Sequence, residues 1–176
     1  MKHILQEPFT KDKLKELRAG DAVLLTGTIY AARDAAHRRL VEMLESGEEL
    51  PLPVHDQMIY YMGPTPARPD QPIGSAGPTT SYRMDPFTPA LLECGLSGMI
   101  GKGPRSEEVR TAAAEAGAVY FAAIGGAGAL IAQSIRSSEI VAFAEMGTEA
   151  IWKLQVEDMP LIVAYDTEGG DVYARG

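Results

Sequence analysis

Buried strand segments alternate with amphipathic helical segments along most of this 176-residue chain, and that alternation constrains the fold most strongly. Residues 21–30 (DAVLLTGTIY) form a nearly continuous apolar run, which predicts a buried strand. Residues 33–47 follow with apolar positions at helical spacing and end at a glycine. Strands and helices in alternation predict an α/β fold, with a mixed sheet flanked by helices in a single domain over residues 1–176.

The same patterns predict the other elements. Thr10, Thr88 and Ser106 are predicted N-caps, and the first residues are read as a tail. In chain order we predict a helix over 9–20, a strand over 56–63, a helix over 85–95, a strand over 97–103, a helix over 106–117, a strand, a glycine turn and a helix over 118–135, a strand over 139–146, a helix over 148–156 and a strand over 160–166.

Charge and cysteine content exclude several classes of function. The net charge of −8 argues against a nucleic-acid partner or an anionic membrane surface. Cys94 is the only cysteine, so an internal disulfide, a zinc knuckle and a self-sufficient iron–sulfur site are ruled out, and no metal site is expected on this chain. The N-terminus has no apolar signal region, and no run approaches a membrane span, so a cytoplasmic location is expected.

Three glycine-bearing junctions carry cations or hydroxyl groups. They contain Arg33 after the first long strand, Thr79, Thr80 and Arg83 in the stretch GPTTSYRMD (residues 77–85), and Lys102 in GKG. Loops at the carboxyl ends of parallel strands gather in one crevice, and backbone N–H groups at glycine turns favour anions there. Together the three junctions predict a pocket for a small dianion.

Other interpretations stay open at this point. Arg33 and Arg83 could pair with Asp34 and Asp85 on the surface, which would leave Lys102 merely solvated. His37 could orient Arg33 or Asp34, or be a structural or exposed residue. The stretch GGAGAL (125–130) lacks the third glycine of a dinucleotide fingerprint, so it favours a helix-packing turn. An autonomous phosphate- or nucleotide-binding module is the alternative from a different functional class.

The stretches GTIYAARDAAH, YYMGPTP, IGSAGPTTSYRMD, GMIGKG and VYFAAIGGAGAL together resemble one family. This family comprises the β-subunits, or C-terminal domains, of class I iron–sulfur fumarate hydratases and of the related tartrate dehydratases. The resemblance covers nearly the whole chain in order. It implies a swivelling β/β/α-type domain that closes over a fumarase α-subunit, whose three cysteines hold a [4Fe–4S] cluster with one open iron. This chain would then be inactive alone, and a β–β dimer is left open.

The resemblance also implies roles for individual residues. Arg33 would bind substrate, Thr79 would be the active-site threonine, and Arg83 and Lys102 would bind the carboxylates of malate or fumarate. Asp34, His37 and Asp85 are candidates for supporting these side chains. Thr80 could be the working hydroxyl in place of Thr79, and nothing in the sequence separates fumarate from tartrate specificity. Tyr82 stands where the family usually has glycine.

Overall fold

The computed structural model describes residues 2–63, 77–123 and 128–174. Its strands are β1 (Lys2–Gln6), β2 (Ala22–Ala31), β3 (Met58–Tyr60), β4 (Gly98–Gly101), β5 (Val119–Ala123), β6 (Ile135–Ala142) and β7 (Ile151–Tyr165). Its α-helices are α1 (Lys11–Leu14), α2 (Asp34–Glu45), α3 (Thr88–Glu93), α4 (Glu107–Ala116) and α5 (Gly128–Ser134). Three 3₁₀ helices span Ser81–Phe87, Ala144–Glu149 and Val172–Ala174. The predicted mixed sheet with flanking helices is confirmed.

The sheet closes on itself. Strands β2, β3, β4 and β5 run parallel and pair in that order. The long strand β7 runs antiparallel to both β5 and β2, so the pairing returns to β2 and forms a ring of five strands. β1 extends the free edge of β2, and β6 extends that of β7. Because the four parallel strands point the same way, their carboxyl ends lie at one edge of the ring.

Alternation along the ring strands divides the core into two clusters. Tyr60 and Phe121 belong to a cluster that takes side chains from all five ring strands and from α5. Their neighbours Tyr61 and Tyr120 face the opposite side. There they pack with residues of α2, α3 and α4, among them Leu40. The helices therefore cover one face of the parallel strands.

Local capping follows the sequence in one predicted case and departs from it in another. The Ser106 hydroxyl accepts a hydrogen bond from the Val109 backbone N–H (3.2 Å), so it caps α4 as predicted. The predicted Thr88 cap is wrong. Its hydroxyl instead donates to the Met84 carbonyl (2.8 Å), because the 3₁₀ helix Ser81–Phe87 already supplies the turn that precedes α3. Thr10 stands at the N-cap position of α1 without a side-chain cap bond.

Several boundary predictions are wrong for identifiable reasons. The predicted helix over 148–156 is mostly the first half of β7, which pairs with β2 and β6. The predicted tail is strand β1, in which His3 lies 2.8 Å from the Asp21 carboxylate. The first predicted helix forms only over Lys11–Leu14. The strand predicted over 139–146 is β6, which begins earlier and ends at Ala142.

Some predicted features lie outside the described residues. They are most of the glycine- and proline-rich loop, at positions 64–76, and the glycine turn at 124–127. Among the described residues, no helix combines the length and the apolar character that crossing a bilayer requires.

Candidate functional site

The carboxyl ends of three adjacent parallel strands carry the residues singled out in the sequence. β2 ends at Ala31 and leads to Arg33 and Asp34 at the start of α2. β3 leads to Tyr61 and Gly63, and β4 leads to Lys102. Since β2, β3 and β4 are neighbours in the ring, these positions share one edge.

Backbone bonds dock the threonine stretch (residues 77–81) between the ends of β3 and β4. The Thr79 N–H donates to the Tyr61 carbonyl (2.8 Å). Thr80 forms an isolated parallel bridge with Lys102, and the Ser81 N–H donates to the Lys102 carbonyl (3.0 Å). The threonines therefore extend the sheet by a short piece of strand and lie beside the Lys102 turn.

Arg83 connects this stretch to the end of β2. It lies in the 3₁₀ helix Ser81–Phe87, and its Nε atom is 2.9 Å from Oδ2 of Asp34, the first residue of α2. Half of the Arg83 side chain is exposed. The sequence left open a surface pairing of Arg33 and Arg83 with Asp34 and Asp85. Arg83 pairs with Asp34, and this pair brings the loop arginine toward Arg33.

Arg33 lies between Gly63 and Glu149, a residue that the sequence analysis did not identify. Its Nε atom is 2.8 Å from Oε1 of Glu149, although the N–H lacks hydrogen-bond geometry toward that oxygen. The second oxygen of Glu149 lies 3.4 Å from the Ala35 backbone N–H, in the first turn of α2. Glu149 therefore neutralises Arg33 and the start of α2 from a distant part of the chain.

His37 is a structural residue that fixes the backbone of Arg33. It is 1% exposed, and its Nδ1 lies 2.9 Å from the Arg33 carbonyl oxygen. Because a carbonyl can only accept, Nδ1 carries the proton. Burial lowers the pKa of His37 to about 4, so the ring is neutral at pH 7. It packs edge-on against Tyr61, 5.3 Å between ring centres. A neutral, buried imidazole serves here to position the Arg33 backbone.

Lys102 is the third cation at this edge. Its side chain is exposed, and its ammonium forms no ion pair with any residue that the structure describes. Its backbone is nevertheless held by the neighbouring stretch, at Thr80 and Ser81. A fixed backbone with an accessible charged end suits the capture of an anion from solution or from a partner protein.

Asp85 does not touch the candidate cations. Its Oδ1 accepts from Nε of Arg105 (2.6 Å), and its Oδ2 accepts from the Ser106 N–H (2.7 Å). Arg105 was missed by the sequence analysis, and its side chain is fully buried. Burial acts to lower the pKa of Arg105, but the nearby Tyr61, Asp85 and Tyr120 outweigh it and raise the pKa, so the guanidinium stays charged.

A methyl group at Gly63 tests the placement of Arg33. A Cβ there would lie 2.6 Å from Arg33 Cζ and 2.9 Å from the Thr148 carbonyl oxygen, so the arginine must move. We expect Gly63→Ala to weaken the binding of a small dianion at this edge by about 10- to 100-fold, the cost of one charged hydrogen bond. Titration calorimetry with a small dicarboxylate as the probe measures this change.

A double-mutant cycle shows whether that effect passes through Arg33. In an Arg33→Ala background, Gly63→Ala should add less than about a twofold change, because the displaced group is already gone. Equal effects of Gly63→Ala in both backgrounds would contradict this placement of Arg33.

The residues of this chain do not fit an iron–sulfur cluster. Among the described residues, no group of three or more His, Cys, Asp or Glu side chains is placed to hold a metal ion. Cys94 is the single cysteine in the sequence, and burial, together with Glu93, raises the pKa of its thiol. One protonated thiol cannot replace the several thiolates that such a cluster requires.

Comparison with known proteins gives consistent relatives. The sequence model of the family described as "Fumarase C-terminus" matches residues 2–176. The anaerobic class I fumarate hydratase of Escherichia coli is 42% identical over 99% of this chain, and fumarate hydratase 2 of Leishmania major is 38% identical over 97%. This chain spans only 31% of the length of each of these two relatives.

A further relative has nearly the same length as this chain. It is a protein of Methanocaldococcus jannaschii named provisionally as an L(+)-tartrate dehydratase subunit beta. It is 40% identical over 93% of this chain and is itself covered over 87% of its length. The match of the family model over residues 2–176, together with these relatives, shows that the chain belongs to the Fumarase C-terminus family.

Proposed function

We propose that this chain is the β-subunit of a class I fumarate hydratase, which interconverts malate with fumarate and water. It would act together with a separate α-subunit that carries a [4Fe–4S] cluster. The observation that carries the proposal is the docking of the threonine stretch between β3 and β4. This docking sets Thr79 and Thr80 beside Lys102, while Arg83 reaches the Arg33–Asp34 junction through Asp34.

The three cations suit a substrate with two carboxylates. Arg33 and Arg83 each meet their acidic partner at Nε. No described residue accepts a hydrogen bond from their terminal nitrogens, so these can form paired bonds with a substrate carboxylate. Lys102 adds an exposed point charge on a fixed turn. Glu149 and Asp34 offset the charges of the two arginines, so Lys102 leaves this edge with a positive charge in a chain of net charge −8.

The reaction needs a base that removes a proton from the carbon beside a carboxylate. In the dehydration of malate, the base removes a proton from that carbon, and the electron pair of the broken C–H bond forms the double bond. The hydroxyl on the neighbouring carbon leaves with the electrons of its C–O bond and becomes water on protonation. Cations that hold the carboxylate stabilise the negative charge that develops on it.

We assign proton acceptance to Thr79. A threonine hydroxyl is a very weak base, so it needs neighbouring positive charge to favour its alkoxide form. Lys102 lies across the bridge from Thr80, and Arg83 follows four positions after Thr79 in the same segment. We assign departure of the hydroxyl to the α-subunit, whose cluster would supply a Lewis acid for it.

A tartrate dehydratase β-subunit is the second candidate. It is favoured by the relative from M. jannaschii, since that protein is a separate chain of nearly the same length as this one. Tartrate carries one hydroxyl more than malate, while the two carboxylates and the elimination step are the same. The same residues therefore serve either substrate.

Anaerobic assembly of this chain with its cluster-bearing partner tests the proposal. We expect the mixture to convert malate to fumarate, which is measured by the ultraviolet absorbance of fumarate. Either component alone should be inactive. A kcat/KM for tartrate above that for malate would assign the chain to the second candidate. An assembled, cluster-loaded complex that dehydrates neither acid would overturn both assignments.

A further inference from the structure

We propose that Arg105 is a positioning residue that sets the distance between the threonine stretch (77–81) and the Lys102 turn. This inference rests on the proposed function, because it assigns Arg105 a part in the same elimination. Arg105 lies three positions after Lys102, yet its side chain turns into the protein and is fully buried. It therefore acts through other residues and does not bind substrate itself.

The guanidinium of Arg105 contacts three segments near the site. Nε donates to Asp85 of the 3₁₀ helix that carries Arg83 (2.6 Å). Nη2 donates to the Tyr61 hydroxyl (3.2 Å) and to the Thr88 hydroxyl at the start of α3 (2.9 Å). The Arg105 backbone N–H donates to the Tyr165 hydroxyl at the end of β7 (2.9 Å). One side chain thus ties the Lys102 turn to three other elements.

Two tyrosine rings enclose the guanidinium. Its central carbon lies 5.1 Å from the centre of the Tyr61 ring and 4.9 Å from that of Tyr120. The backbone of Tyr61 accepts the Thr79 N–H, so the ring that packs on Arg105 belongs to the residue that anchors the candidate base. Arg105 and Thr79 are therefore linked through a single residue.

Tyr120 completes the link from the other side. Its hydroxyl is hydrogen-bonded to Ser81 Oγ (2.6 Å) and to the Gly103 carbonyl oxygen (2.8 Å). Because the carbonyl can only accept, the Tyr120 proton points to Gly103 when both bonds form, and Ser81 donates to Tyr120. Ser81 belongs to the threonine stretch and Gly103 to the Lys102 turn. Tyr120 thus bridges the two segments directly while it stacks on Arg105.

Stability alone does not explain an arginine at this position. A buried ion pair contributes little or nothing to stability compared with an apolar replacement of similar volume, because both charges lose their hydration. A planar group with several donors in fixed directions does define distances between the segments that it joins. A lysine would keep the charge but lose the forked set of N–H donors of the guanidinium and its packing on Tyr61 and Tyr120.

The contacts of Arg105 support one side of the site and leave Arg33, on the other side, to be held by other residues. The contacts of Arg105 reach Thr79, the 3₁₀ helix and the Lys102 turn, whereas Arg33 is held by Gly63, His37 and Glu149. Loss of the guanidinium should therefore displace the proton acceptor more than it weakens the binding of the substrate carboxylate by Arg33. A misplacement of about 1 Å is enough to cost about 100-fold in rate.

The test compares Arg105→Lys with the wild-type chain in the assembled enzyme. We expect kcat for malate to fall about 100-fold, with a smaller rise in KM, because the Lys102 turn and the helix of Arg83 also shift while Arg33 keeps its own supports. The deuterium isotope effect on kcat, with malate deuterated at the carbon that loses its proton, should rise. A population of inactive molecules lowers kcat but leaves this isotope effect unchanged, so an unchanged isotope effect overturns the proposal.

Two further variants complete the test. Tyr61→Phe removes one acceptor of Arg105 and keeps the ring, so it should fold and shift kcat and the isotope effect in the same direction by a smaller amount. Arg110→Lys is the matched control, since Arg110 pairs with Asp171 and packs over Tyr165. It should leave both quantities unchanged. A change in Arg110→Lys as large as that in Arg105→Lys overturns the proposal.

Hydrogen exchange provides a measurement that does not depend on turnover. In the assembled complex, Arg105→Lys should speed exchange of the Thr79 and Ser81 amides, which bond to Tyr61 and Lys102, and leave α2 protected. If the complex dehydrates neither acid, the proposed function is wrong. The exchange rates still show whether Arg105 holds the threonine stretch in position. Unchanged exchange at both amides overturns the positioning role.

Discussion

Arg83→Ala is expected to lower kcat/KM of the assembled enzyme by about 100- to 1,000-fold, the range for removing a donor that stabilises developing negative charge. Arg83 lies on the 3₁₀ helix that directly follows the two threonines, and it pairs with Asp34, the residue after Arg33. Its side chain is half exposed and paired only with Asp34 among the described residues. Such a surface pair contributes at most about 1 kcal/mol to stability, so folding and assembly should be retained.

Arg136→Ala is the matched control for this prediction. Arg136 is also a largely exposed arginine paired with an acid, Glu157, at 3.3 Å, but it lies on β6, away from the ends of β2, β3 and β4. It should leave kcat/KM within about twofold of wild type, as surface substitutions usually do. If Arg83→Ala kept near wild-type turnover with an intact complex, Arg83 could not be a carboxylate-binding residue.

Thr79→Val is expected to lower kcat by about 100- to 10,000-fold, the contribution typical of a positioned general base. Valine has nearly the same shape and removes only the hydroxyl. The bond that holds this position in the sheet, from the Thr79 N–H to the Tyr61 carbonyl, uses the backbone and survives the substitution. The KM for malate should therefore change little, because the three cations remain in place. Steady-state kinetics, with rates divided by the cluster content of each preparation, measure the changes in kcat and KM separately.

Thr80→Val decides between the two threonines. Thr80 is held by its backbone bridge to Lys102, so valine should be tolerated there as well. We expect its kcat to fall by less than about 10-fold, since the group lost would be no more than a neighbouring hydrogen bond. A larger loss in Thr80→Val than in Thr79→Val would make Thr80 the proton acceptor and contradict the assignment of Thr79.

The parts of the fold that local sequence patterns did not predict are strands whose pairing partners are distant in the sequence. β2 and β4 are buried apolar runs, and α2 and α4 have helical periodicity with clear ends, so their patterns suffice. In β7 the buried positions Ile151 and Leu154 are three apart, which imitates a helix. The strand also bends at Asp158, whose φ is 53°, and its pairing shifts register, so its alternation is interrupted. β1 has a single buried residue, Leu5, and no pattern to detect.

The candidate site was predictable where the chain itself places residues at strand ends. Arg33 and Lys102 follow buried strands directly, so topology alone brings them to one edge. Glu149 and Arg105 were not predictable, because their partners are distant in sequence. Glu149 meets Arg33 across 116 positions, and Arg105 meets Tyr61 across 44. No local pattern shows that the Arg105 side chain turns inward while neighbouring Lys102 turns out.

The structure of the assembled enzyme with a bound dicarboxylate inhibitor tests the central claim most directly. We predict that the two carboxylates contact the side chains of Arg33, Arg83 and Lys102 at hydrogen-bond distances of about 2.7–2.9 Å, with the Thr79 hydroxyl facing the carbon between them. A dicarboxylate bound in the enzyme with none of these side chains in contact would contradict the account.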